Sequence, residues 1–320
     1  MFSISKSNFG KLEQVFLQND TTGEKAGIIP GYGATLNMLI LSKNNTLLDI
    51  VDGSPNYEYL IGEGAEYCKG MILFPFPNRI CGGQYIFEGN TYQLPINEAD
   101  MQNAIHGFAA NKAFAIESEK CTENNAELTL SYTTSGHDEG YPFICKIWVT
   151  YTLTADKGLI CSTKISNADT KNLPVGLGWH PYFKLGNAGI DELWLKLPTN
   201  EELLSNERMI PTGRKKVGIK YKKRNKIETT AFDTGYVVDN NSKNTRTTSL
   251  KDKEKDIKLR IWQEVGKYGY NFLQIYTPPH RKSIAIEPMT CATDAFNNGF
   301  GLIVLKPNES KHFSFGVLLD

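Results

Sequence analysis

The sequence predicts an all-β protein, a β-sandwich or barrel with few short helices. Three observations carry this. Apolar and polar residues alternate with a period of two, as at Ala126, Leu128, Leu130 and Tyr132. The candidate strands are short and punctuated by Gly, Asn, Asp and Pro. Strand patterns do not alternate with amphipathic helical ones, so a doubly wound parallel sheet is not expected.

Residues 85–94 read as a hairpin turning at Glu88-Gly89-Asn90. Residues 126–132, 144–153 and 159–165 read as longer strands, rich in β-branched and aromatic side chains. Residues 272–276, 283–286, 302–305 and 312–318 add short ones. Pro288, directly after Glu287, is expected to stop the strand before it. Residues 200–205, behind Asn200 as a cap, predict one or two turns of helix. Residues 214–226 are strongly basic and read as a solvated surface loop rather than a nucleic-acid contact, because acidic residues elsewhere balance the charge. Residues 240–258, polar and of mixed charge, read as a hairpin loop or a mobile excursion.

The chain has 320 residues, with 35 Lys and Arg against 35 Asp and Glu. That length suits one large all-β domain, here taken as residues 1–320. A balanced charge gives no general attraction to nucleic acid or anionic membrane. The first ten residues lack an apolar signal region and no apolar run approaches membrane-spanning length, so a cytoplasmic protein is expected. None of the six cysteines forms a Cys-x-x-Cys pair, and reduced, half-buried thiols are expected. Neither a Gly-x-Gly-x-x-Gly fingerprint nor a phosphate loop is present.

Chemistry-bearing residues cluster in five segments. In Gly176-Leu177-Gly178-Trp179-His180-Pro181-Tyr182-Phe183, the proline pushes His180 toward an extended conformation beside flat aromatic surfaces. Such surfaces suit the C–H faces of a sugar, and histidine is the side chain that moves protons near neutral pH. In Phe74-Pro75-Phe76-Pro77-Asn78-Arg79, two prolines stiffen the approach to an arginine that offers a fixed fork of donors. His106 precedes Gly107 at an expected strand end. Glu287 lies in an apolar run, where desolvation raises a carboxyl pKa toward that of a useful base. Asp233 sits in Phe232-Asp233-Thr234-Gly235, a turn-like setting. His137, His280 and His312 read as structural or solvent-exposed.

In their shared order these motifs resemble the aldose 1-epimerase, or galactose mutarotase-like, family, from about Gly31 to the C-terminal strand. The segments Asp138-Glu139-Gly140-Tyr141-Pro142 and Ile210-Pro211-Thr212-Gly213 add to the resemblance. It implies a large antiparallel β-sandwich, the galactose mutarotase-like supersandwich with a concave sugar-binding face, and an isomerase that interconverts the anomers of a free aldose. It also implies Glu287 as general base and His180 as general acid, with Arg79, His106 and Asp233 binding the sugar; Asn78 beside Arg79, and Trp179 as a flat platform beside His180, are expected to contact it as well. No cofactor or metal is implied, and the partner is a small-molecule sugar.

The chain departs from the galactose pattern at four places. His106-Gly107-Phe108 replaces His-Gly-Gly and Trp179-His180 replaces Asn-His. Glu287-Pro288-Met289 replaces Glu-x-Gln, and Tyr141-Pro142-Phe143 replaces Tyr-Pro-Gly. The acid/base pair is retained, and Trp179, Phe74, Phe76 and Phe108 are expected to reshape the pocket for another aldose. Two other classes compete: a non-catalytic carbohydrate-binding protein using the same face, and a metal enzyme with His106, His180 and Glu287 as a facial triad.

Overall fold

The computed structural model describes residues 1–186, 189–216, 219–240 and 244–320. Antiparallel strands dominate, in three large sheets. The first is a meander of Phe2–Phe9, Leu12–Asn19, Lys25–Ile29, Thr35–Lys43 and Thr46–Asp49. The second is nine-stranded, and its centre holds Cys145–Thr154, Gly158–Asn167, Ser310–Leu319 and Ile257–Glu264 side by side. The third runs Pro211–Lys216, Thr199–Ser205, Asp233–Val238, Phe272–Tyr276, Ile284–Met289, Gly178–Trp179 and Ile72–Leu73, with Tyr182–Phe183 also paired to Ile284–Met289.

Period-two patterning explains how the layers meet. Cys145–Thr154 and Gly158–Asn167 alternate strictly between buried and half-buried residues. Their inward residues, among them Ile147, Val149, Tyr151 and Cys161, join Phe313, Phe315 and Val317 in one apolar cluster. From the third sheet that cluster receives Leu273, Ile275, Ile284 and Ile286, and from the first Val15, Leu17 and Ile28. The sheets therefore close over a shared core as a sandwich.

Ile284–Met289 is buried along its whole length. Its odd-numbered residues face away from the core, so Glu287 projects from the opposite face of the sheet. Gln274 is paired with Glu287 across one strand boundary, and Asp233 with Tyr276 across the next. The same period brings all four side chains to one surface.

Five expectations change or sharpen. Pro288 does not end its strand, which continues to Met289. Ile286 N–H donates to Pro181 O and Thr290 N–H to Leu177 O, so the donor that proline lacks faces the bend at Trp179 to Pro181. The expected helix at 200–205 is the strand Thr199–Ser205, paired on both sides. Leu203 packs with Phe272, Met289 and Ala292, a tertiary burial that overrides a weak local helix signal.

The basic stretch is not simply a loop. Pro211–Lys216 pairs with Thr199–Ser205, and Arg214 and Lys215 lie 3.1 and 3.0 Å from Glu201 and Glu202. Residues 217 and 218 of that stretch lie outside the described residues. Beyond them Tyr221 is buried against Phe232. The polar stretch forms a regular hairpin, Thr245–Asp252 with Ile257–Glu264, and residues 241–243 lie outside the described residues. The hairpin near residue 88 is tighter than expected. Only Glu88 and Gly89 lie between the paired Phe87 and Asn90, both at positive φ as a type I′ turn requires. All six cysteines are free, and Cys145, Cys161 and Cys291 are buried.

One close approach shapes the site. Phe108 N–H and Ala109 N–H both donate to Phe74 O, at 3.1 Å each. Gly107 bridges the same segment at φ +66°, where a Cβ would lie 2.3 Å from Phe74 O. Gly107→Ala is therefore expected to cost at least about 2 kcal/mol, from left-handed strain and backbone overlap together. A urea-unfolding midpoint unchanged from the parent protein would contradict this.

Candidate active site

Above the outward face of the third sheet lies a groove of about 500 Å³, within the range of small-ligand sites, roughly 300–1,000 Å³. It is lined by six of the seven residues singled out from sequence: Asn78, Arg79, His106, His180, Asp233 and Glu287. The seventh, Trp179, is not there. It is fully buried, stacked on Phe315 with ring centroids 4.5 Å apart, and its Nε1–H donates to Gly70 O. Its neighbour His180 takes the opposite side of the strand, as period two dictates. Phe74 and Phe76 are core residues as well, so of the four aromatics expected to reshape the pocket only Phe108 reaches it.

At the base of the groove, His180 Nε2 stands 3.4 Å from Glu287 Oε1. His180 is 6% exposed and Glu287 1%. His180 Nδ1 and Glu287 Oε2 are buried without a hydrogen-bond partner among the described residues, which is uncommon for polar atoms inside a protein. Burial holds the Glu287 carboxyl well above its ordinary pKa; the nearby Asp233 adds to the rise, and Arg79 opposes it. Burial also pushes His180 down to about 3, offset only in part by its own backbone carbonyl, which favours the charged ring. Both groups are driven toward their neutral forms, so the pair holds one proton, on the carboxyl.

A second histidine is fixed in one tautomer. Asn78 N–H donates to His106 Nδ1 at 3.2 Å, and His106 N–H donates back to Asn78 O at 2.9 Å. Nδ1 is thereby the acceptor, and the ring proton lies on Nε2. Burial, with His180 and Arg79 nearby, keeps His106 well below its ordinary pKa and so neutral. Both residues of this clasp have left-handed backbones, Asn78 at φ +58° and His106 at φ +62°. Strain of this kind concentrates at functional sites. The rings of His106 and His180 meet edge to face at 5.2 Å.

The sequence reading missed two polar partners. Glu98 grips Arg79 in a fork: both carboxylate oxygens accept from Nε at 3.0 Å, and Oε1 accepts from Nη2 at 2.8 Å. Asn103 Nδ2 holds the other side of Glu98 at 3.0 Å. Nothing local marks Glu98, which comes from a loop. Gln274 was findable, as a polar residue on the alternate face of an apolar strand. Its Nε2 donates to Asp233 Oδ1 at 2.7 Å. Asp233 opens its strand rather than sitting in an isolated turn. Crowding by protein atoms raises its carboxyl pKa, while Arg79 and Gln274 oppose the rise.

His137, His280 and His312 are exposed and lie apart from the groove. Among the described residues no three His, Cys, Asp or Glu side chains are grouped as metal ligands, so the facial triad is not formed. Among the same residues no helix is long and apolar enough to cross a membrane.

The shared proton gives a signed pH dependence. Glu287, raised from 4.5, contributes stability that is complete below 4.5 and lost as pH rises. His180, lowered from 6.5 to about 3, contributes stability that is complete above 6.5 and lost as pH falls. Between 4.5 and 6.5 the two slopes cancel, because folded and unfolded forms of the pair each carry one proton. The pair's contribution is thus expected to plateau in that window and fall on both sides. In Glu287→Gln the alkaline limb should vanish. Unfolding free energies of both proteins from pH 4 to 9 test this, and an equal alkaline slope in the two would refute it.

Residues 14–317 match the sequence profile of the family described as Aldose 1-epimerase. The uncharacterized protein YihR of Escherichia coli (strain K12) is 31% identical over 254 residues, 78% of each chain. Galactose mutarotase of Rattus norvegicus is 26% identical over 224 residues, 67% of this chain and 62% of the relative. The crystal structure of a galactose mutarotase-like protein from Clostridium acetobutylicum superposes with a TM-score of 0.88 at 22% identity. It covers 100% of this chain and 98% of the other, and shows the same fold. With a profile match across nearly its whole length and this fold, the chain belongs to the aldose 1-epimerase family.

Proposed function

We propose that this protein is a cofactor-independent mutarotase, interconverting the α and β anomers of a free aldose. The observation that carries the reading is the His180–Glu287 contact of 3.4 Å at the base of the groove. Residues 1–320 act as one unit in this reading.

Mutarotation requires one proton to leave the C1 hydroxyl and another to reach the ring oxygen. Glu287 as carboxylate takes the first, and His180 as imidazolium gives the second. In the resting groove burial leaves both neutral, but the working pair has the same number of protons. Moving one proton from Glu287 to His180 arms it. Arg79 already favours the ionised carboxyl. The ring opens to the aldehyde, rotation about C1–C2 presents the other carbonyl face, and reclosure reverses the two roles.

The remaining groups bind and orient. The Nε2–H of His106 and the free edge of the Arg79 guanidinium donate to sugar oxygens, where they also stabilise developing negative charge. Asp233 and Gln274 offer acceptors and a donor to hydroxyls. Tyr276 and Phe108, also in the lining, offer flat faces to C–H groups. The galactose mutarotase among the relatives supports the reaction class. The departure at Phe108, which lines the groove, favours an aldose other than galactose.

Polarimetry or exchange NMR on a panel of free hexoses and pentoses tests the proposal. At least one sugar should equilibrate faster with the protein. Glu287→Gln and His180→Asn, each folded, should lose roughly 10²–10⁴-fold in kcat. Binding of sugars with no acceleration anywhere in the panel would instead support the non-catalytic carbohydrate-binding reading.

A further inference from the structure

A buried lysine lies behind the proposed acid, and the reaction scheme does not use it. Lys69 is 5% exposed, and its Nζ is 3.0 Å from Asp52 Oδ2. The same oxygen accepts from Ser283 Oγ at 2.7 Å. Ser283 immediately precedes the strand that carries Glu287. Lys69 Nζ also lies 5.2 Å from the Tyr59 ring centroid and 5.7 Å from that of Tyr182. Tyr182 in turn stacks on His180, with centroids 5.1 Å apart and planes 21° apart.

The backbone around this pair grips the same two residues. Asp52 N–H donates to Tyr182 O at 2.9 Å. Gly70 N–H donates to His180 O at 2.8 Å, and His180 N–H donates to Met71 O at 3.1 Å. The Lys69–Asp52 pair therefore joins three segments that together enclose Tyr182 and His180. Burying an ammonium costs more than burying an apolar side chain of similar length, so packing alone does not call for a lysine here. An ammonium has a directional requirement that a methionine lacks: it must meet both its carboxylate and the ring faces beside it.

We propose that Lys69, held by Asp52, is a positioning residue that orients the Tyr182 ring and, through that ring, the imidazole of His180. Tyr182 transmits the constraint as a flat surface, through the stacked face of its ring. Lys69 touches neither the sugar nor the transferred proton. The inference rests on the mutarotase reading for its rate arm only.

The test compares Lys69→Met, Asp52→Asn, the double variant, Tyr182→Phe and Tyr182→Leu, with Lys120→Met as a control in an exposed ion pair. Two readouts are taken. The first is the ring ¹H and ¹³C resonance of His180, assigned by its loss in His180→Asn, which requires no activity. The second is kcat and KM on the best aldose. Lys69→Met and Tyr182→Leu should shift the His180 resonance and lower kcat roughly 10–100-fold, with KM within about twofold. Tyr182→Phe, which keeps the ring, should keep the parent's His180 resonance, and Lys120→Met should leave both readouts unchanged. The double variant, which removes both charges together, should recover thermal stability relative to Lys69→Met without recovering kcat. A folded Lys69→Met protein with the parent's His180 resonance and kcat would overturn the proposal, as would a double variant that regains full kcat. If no aldose is accelerated by the parent protein, the mutarotase reading fails and the resonance arm still decides the positioning role.

Discussion

Glu287 is 1% exposed in a strand whose other residues are Ile284, Ala285, Ile286, Pro288 and Met289. That burial sets the terms for every other group in the groove. A carboxyl without water around it resists ionisation, so its proton stays until something nearby favours the charge. Beside it stand His180, also desolvated, and Arg79, which favours the charge but is already engaged by Glu98. In the proposed reaction the groove is therefore poised with its one shared proton on the carboxyl, until a bound sugar shifts the balance toward the ionised pair.

Keeping the poise requires rigid walls. The reciprocal hydrogen bonds of Asn78 and His106 hold two left-handed residues against each other and fix the histidine tautomer. The forked contact of Glu98 holds the arginine plane while leaving part of its donor set free. Neither device adds much net stability, since partly buried ion pairs and strained backbones both carry costs. What they provide is a fixed geometry around a ring-sized space. The Lys69–Asp52 pair extends the same logic one layer behind His180.

The sheet architecture was legible because its signal is local and repeated. Alternation in 126–132, 144–153 and 159–165 follows directly from side chains pointing to opposite faces. Residues 200–205 were misread because Leu203-Leu204 fits either period over so short a run. The outcome was decided by cross-strand partners at Lys215, Arg214 and Tyr236, which no local window contains. Pro288 misled for a similar reason. Proline disrupts a ladder only on the side its missing donor faces, and that side is known only once the neighbours are placed.

The sequence by itself determined which chemical groups are available: one carboxyl in an apolar strand, two histidines on constrained backbone, one arginine behind prolines. It also determined the sheet-forming pattern, and the order of motifs that marks the family. Only the tertiary structure decided which face each residue occupies. It turned Trp179 into the core and His180 into the groove, although they are adjacent, because a strand sends successive side chains to opposite sides. It also supplied Glu98, Gln274 and Lys69. Their roles come from partners 19, 41 and 17 residues away, and spatial pairing at such distances is a property of the folded sheets rather than of any segment.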